Sequence, residues 1–201
     1  MLRLRPVATL AVTFGLMAPT MAPRATQAEH TAAQPDGLLT LARLRRGQGR
    51  PEEARAILCD LLQTDGLSPS HRGTALRLLG SIDRSLGELP EAAELYEEAL
   101  ALHRAHGPTQ ERLSSTITLA NARKDQGRIA AARALYQRAA DEARAAGEVL
   151  HERKALLGLS SVVNRLGDFD WSVELTEQVE ALCDGADDGC RAEAWAFRAT
   201  P

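Results

Sequence analysis

The residues that could do chemistry are few, and they do not assemble. His151-Glu152 opens as a zinc-protease His-Glu-x-x-His motif would, with two imidazoles on one helical face and a glutamate as base. Ala155 stands where the second histidine is required. Gly158-Leu159-Ser160 begins like a nucleophile elbow, but Val162 replaces the closing glycine and the surrounding pattern is helical, with no strand to present the serine. The run Asp184 to Gly189 has the acidity of a calcium loop. Ala186 at its third position and Trp195 at its twelfth exclude an EF-hand. His103 and His106, at i and i+3, have the spacing to share a metal ion; the simpler reading is a solvated helix end, where positive character suits the dipole. No phosphate-cradling glycine loop and no paired-cysteine metal signature occur. The chain is therefore expected to be no enzyme and to hold no cofactor or metal.

Composition agrees with a non-catalytic helical protein. The 201 residues are 44% hydrophobic but only 3% aromatic, so alanine and aliphatic side chains must fill the core, as in helices rather than a sheet. A formal net charge of -3 speaks against a nucleic-acid binder. Trp171 and Trp195 are not interleaved with basic residues and read as packing residues.

The first 28 residues read as an address. Arg3 and Arg5 precede an apolar stretch from Val7 to Ala18, too short to span a bilayer, and small residues lead to a cleavage site after Ala28. A secretory signal peptide over 1–28 is expected, with a linker over 29–35. An uncleaved anchor is the alternative. Removal would take away three arginines and no acid, moving the formal charge from -3 to -6. It would also leave no membrane span and place the mature chain in the periplasm or outside a bacterial cell. There disulfides are permitted, and Cys183 and Cys190, which bracket Asp184 to Gly189, are the candidate pair. The alternative is that all three cysteines are small apolar residues, and Cys59 is expected to be buried and inert.

The organising feature is internal repetition. Gly49, Gly87, Gly127 and Gly167 are each followed five residues on by Ala54, Ala92, Ala132 and Ser172, then by Ile57, Leu95, Leu135 and Leu175. Tyr96 and Tyr136 follow Leu95 and Leu135 directly. Upstream of each glycine, Leu41, Leu79, Leu119 and Leu159 align, each followed by a small residue: Ala42, Gly80, Ala120 and Ser160. Spacings of three and four mark helix faces, and a glycine between two such faces is a helix terminator. Each copy is thus a helical hairpin, closely packed where the small residue of its first helix meets that of its second. One hairpin cannot bury both faces alone, so copies must stack.

These residues resemble the tetratricopeptide repeat, from about Asp36 to Cys183. The second copy, LRLLGSIDRSLGELPEAAELYEEALAL, carries the likeness most fully. The period of 38 to 40 residues exceeds the usual length of about 34 and is similar to the long variant of kinesin light chains, as is the corner His106-Gly107-Pro108. The resemblance implies an all-α solenoid of about four hairpins, near 36–66, 68–107, 108–147 and 148–183. A capping helix over 188–201 would follow, with Trp195 and Phe197 covering the open end.

The resemblance further implies a concave surface lined by the first helix of each hairpin, where family members hold extended peptides. With the leucines turned inward, the opposite face carries Arg43 and Arg46, then Arg77, Ser81 and Arg84, then Asn121 and Lys124, then Asn164 beside Arg165. Many acids fall instead on the second helices. Asn121 matches the place of the family's backbone-binding asparagine; Ser81 breaks the set that clamps a C-terminal carboxylate. The expected partner is an acidic protein or peptide segment, drawn by the arginines and lysine. Two other readings stay open: the stripe is simply the solvated face of the helices, or the chain is a structural piece that assembles with itself or with an envelope complex through its ends.

Overall fold

The structure is a computed structural model that describes residues 34–183. The expected signal peptide and most of the linker, the Asp184–Gly189 run, Cys190 and the expected capping helix lie outside the described residues.

Eight helices and no strand are present among the described residues: α1 (Pro35–Gly47), α2 (Pro51–Leu62), α3 (Pro69–Leu86), α4 (Leu89–His106), α5 (Thr109–Asp125), α6 (Ile129–Ala146), α7 (Val149–Arg165) and α8 (Phe169–Ala181). Four of them carry proline in the first turn, where the missing N–H has no intrahelical partner to lose. The Ser68 side chain caps α3 by accepting from the His71 amide at 3.2 Å, and Asp168 does the same for α8 through the Trp171 amide at 3.3 Å. Gly49, Gly87, Gly127 and Gly167 stand between the helices of each hairpin with φ of 74°, 87°, 73° and 82°, the left-handed conformation that favours glycine.

Consecutive helices pack as antiparallel hairpins, α1 with α2 through α7 with α8, and each second helix packs on the first helix of the next hairpin. Each first helix also touches the next first helix: α1 with α3, α3 with α5, α5 with α7. The second helices stand farther apart. Arg133 of α6 bridges that gap by lying 4.6 Å over the Trp171 ring of α8. Close first helices and splayed second helices bend the stack, with α1, α3, α5 and α7 on its inner side.

The core falls into three clusters. One joins hairpins 1 and 2 through Leu39, Leu58, Leu78 and Ile82. Another joins hairpins 3 and 4 through Tyr136, Leu156, Leu159 and Val163. Between them lies a small, alanine-rich cluster of Ala92, Ala93, Tyr96, Leu100, Leu119 and Ala122. The aligned leucines grade along the stack: Leu119 and Leu159 are buried, and Leu41 and Leu79 are half-buried nearer the first end.

Candidate functional site: the concave face

The inner face is built from side chains of α1, α3, α5 and α7, and neighbouring inner helices are cross-linked. From α1 to α3, Asp36 Oδ1 lies 3.2 Å from His71 Nε2, and Arg46 donates to the Ser81 hydroxyl. From α3 to α5, Arg77 pairs with Glu111 at 2.8 Å and Arg84 with Asp125 at 2.7 Å. From α5 to α7, Gln110 donates to Glu148 at 3.1 Å, and the Ser114 hydroxyl meets His151 Nε2 at 3.1 Å.

The floor between these helices is phenolic. Tyr96 and Tyr136 rise from the second helices, and both rings are fully buried. The Tyr136 hydroxyl donates to Asn121 Oδ1 at 2.5 Å. Burial pushes the Tyr96 phenol up, opposed by the nearby guanidinium groups of Arg84, Arg46 and Arg77. Burial likewise pushes Tyr136 up. Glycines make room for these rings: a Cβ on Gly80 would lie 3.0 Å from Tyr96 Cε1, and one on Gly158 only 2.2 Å from Tyr136 Cε1.

The structure revises the expected charge pattern. Arg77 and Arg84 are not free cations, because Glu111 and Asp125 from the next inner helix pair with them. Burial works against the Arg84 charge, but the hydrogen bond to Asp125 and the Tyr96 phenol outweigh it and raise its affinity for the proton. Ser81 is engaged by Arg46, and Asn121 by Tyr136. Among the described residues Arg43, Arg46, Lys124 and Arg165 make no ion pair. Lys124 is the most distinctive of these. It is half-buried, and burial lowers its proton affinity, with Asp125 opposing the shift and Arg165 and Arg84 adding to it. Asn164 is half-buried on α7. Sequence reasoning missed Glu111, Asp125 and the tyrosine floor; the signal for the acids was their place about one repeat length after Arg77 and Arg84.

Other candidates resolve differently. Glu152 accepts from Arg144 Nε at 2.7 Å and His151 meets Ser114, so both residues of the truncated zinc motif are engaged structurally. His103 corrects the expectation of a solvated helix end: it is 0% exposed, whereas His106 is exposed, so the two do not face one ligand. Cys59 is free but half-buried rather than buried. Cys183 is disulfide-bonded, and its expected partner Cys190 lies outside the described residues. Trp171 is half-buried and packs under Arg133. No helix among the described residues is long and apolar enough to cross a membrane.

Sequence profiles of the tetratricopeptide repeat match residues 36–105 and 117–186, so the chain belongs to the tetratricopeptide-repeat family. Its fold is that of the long, kinesin-light-chain-like variant. The crystal structure of the kinesin light chain TPR-like repeats of Podosopora anserina is 20% identical with a TM-score of 0.66, covering 83% of this chain and 85% of that one. BtubC (BKLC) from P. vanneervenii is 18% identical with a TM-score of 0.70, covering 86% of this chain and 76% of that one. No curated protein matches the chain in sequence at a significant level. Repeats of this family generally mediate protein–protein interaction and typically serve as scaffolds rather than catalysts.

Proposed function

We propose that this chain is an exported interaction module that holds an acidic segment of a protein partner along its concave face. The observation that carries the reading is Lys124: a half-buried ammonium beside Arg84 and Arg165, with no ion pair among the described residues. A cation kept partly out of water without a carboxylate is costly, and an incoming anion removes that cost. Asp125 is the nearest internal acid, but Arg84 already engages it. The two ion pairs between α3 and α5 cancel their own charges, so the excess of Arg43, Arg46, Lys124 and Arg165 gives the face its sign. Such a field steers an acidic segment inward and sets its register more than it sets affinity.

The test is a charge reversal that spares the inter-helix pairs. Lys124→Glu with Arg165→Glu should weaken binding of a fluorescent glutamate-rich peptide by about tenfold or more at low salt, with the helical circular-dichroism signal unchanged. The wild-type affinity should also fall as salt rises. Equal affinity in both proteins would remove the groove reading. Assembly through the ends predicts instead a concentration-dependent oligomer by light scattering, indifferent to these substitutions.

A further inference from the structure

Among the described residues His103 is the one imidazole that is fully buried. It stands in the last turn of α4, against α3 and α5, beside the small cluster that separates the two larger cores. Its ring nitrogens reach both neighbouring helices. Nε2 lies 3.2 Å from the Ser70 carbonyl oxygen and 3.3 Å from Thr74 Oγ1, both on α3, and Nδ1 lies 2.7 Å from Ser115 Oγ on α5. A carbonyl only accepts, so Nε2 carries the hydrogen and Nδ1 accepts from the Ser115 hydroxyl. That arrangement satisfies the neutral ring completely.

Two glycines stand close to this residue, and Gly73 makes the room for its ring. A Cβ on Gly73 would lie 2.7 Å from His103 Nε2, and one on Gly107 would lie 2.9 Å from His103 Cα and 3.0 Å from its Cδ2. Neither glycine has a positive φ to explain its presence. Gly73 is accounted for by the imidazole it admits, whereas Gly107 also clears the His103 backbone, whose carbonyl oxygen would lie 3.0 Å from a Cβ there.

We propose that His103 is a proton-operated latch between the two halves of the array, closed while its ring is neutral and released on acidification. A second proton would land on Nδ1, the atom that accepts from Ser115. The buried hydroxyl would have to turn its hydrogen away and accept instead, so that hydrogen would lose the nitrogen it now bonds and a charge would stand in a buried site. Burial disfavours the protonated ring; the Ser70 carbonyl and Glu111 oppose that, and Arg77 adds to it. Arg77 of α3 and Glu111 of α5 are bound to each other at 2.8 Å, so their opposing fields largely cancel and burial decides. On α4 itself, Arg104 and His106 are exposed to solvent, and His71 of α3 is engaged by Ser68 and Asp36. The ring's pKa is held below 6.5, so stability is fully present above that value and is lost as pH falls below it, where the unfolded chain binds the proton first.

The experiment follows backbone amide hydrogen exchange of the full chain at pH 7.5 and pH 5, corrected for intrinsic rates, for wild type and His103→Gln. Glutamine donates and accepts like the neutral ring but does not titrate. In wild type, exchange across the end of α4 and the start of α5 should accelerate severalfold at the lower pH. The centres of the α1–α2 and α7–α8 hairpins should keep their protection, and His103→Gln should show no local acceleration. Equal acceleration in both proteins, or none in wild type, overturns the latch. If His103→Gln does not fold, imidazole NMR of wild type decides. His103 should titrate below pH 6.5, with the α4–α5 amides shifting along the same curve; titration at or above that value, or amides that stay still, overturns it.

Discussion

Hairpins 2 and 4 meet the same demand, a close approach of two helices, with opposite chemistry. In hairpin 2 the approach is steric: Gly80 presents no side chain, and the ring of Tyr96 and the carbonyl of Ala92 occupy the space, 3.0 and 3.1 Å from where a Cβ would stand. In hairpin 4 it is polar: the hydroxyls of Ser160 and Ser172 lie 2.9 Å apart, both buried, and the Ser160 hydroxyl also reaches the Ser172 carbonyl at 3.3 Å. The reason lies one turn on. Thr176 replaces the tyrosine in hairpin 4, so no ring from its own second helix presses on this joint, and two hydroxyls stand where hairpin 2 has glycine and alanine. A repeat register of this kind fixes the volume available at a joint and leaves its polarity open, provided that every buried hydroxyl finds a partner.

The strongest way to break this comparison is to fill a ring's space. Tyr136 crosses to the next hairpin and lies against Gly158, where a Cβ would meet Cε1 at 2.2 Å and Cζ at 2.6 Å. Gly158→Leu should exceed the usual overpacking cost of about 1–3 kcal/mol and abolish a cooperative thermal transition by circular dichroism. Tyr136→Ala in the same chain should restore part of the transition; a double variant no better than Gly158→Leu alone would show that the ring is not the obstacle. A milder case is Gly80→Ala. Alanine gains about 1 kcal/mol of helix propensity, but the rigid Ala92 carbonyl at 3.1 Å cannot yield as a side chain can. A net loss of about 1 kcal/mol is expected, read as a melting temperature lower by about 2–4 °C. An increase would mean that α3 and α4 have slack at this point.

The difference between these joints also marks what could be read from the chain. Glycine before each second helix and small residues at fixed offsets are steric necessities that recur in four copies, so alignment of the chain with itself exposes them. The inner-face pairs were harder, because Arg77–Glu111 and Arg84–Asp125 join residues 34 and 41 apart, and nothing local marks a charge as already spoken for. His103 was misread for a related reason. Near a helix C-terminus a histidine resembles a solvated end, and its burial depends on a hole left by Gly73 in another helix. The clue was Gly73 itself, a glycine inside a helix that takes no part in the hairpin register.

The smallest effect belongs to the serine pair, and it sharpens the comparison most. Ser172→Ala leaves the Ser160 hydroxyl its weaker bond to the residue 172 carbonyl, so a loss of about 1 kcal/mol is expected, near the net worth of one buried hydrogen bond. Replacing both partners removes the polar requirement as well as the bond. Ser160→Ala with Ser172→Ala recreates the Ala120 and Ala132 pair of hairpin 3, where both residues are fully buried. The double variant should therefore melt within about 0.5 kcal/mol of wild type, and the two single changes should couple by about 1 kcal/mol in a double-mutant cycle. If the losses simply add, the serines are not partners and hairpin 4 is held by its aliphatic contacts alone.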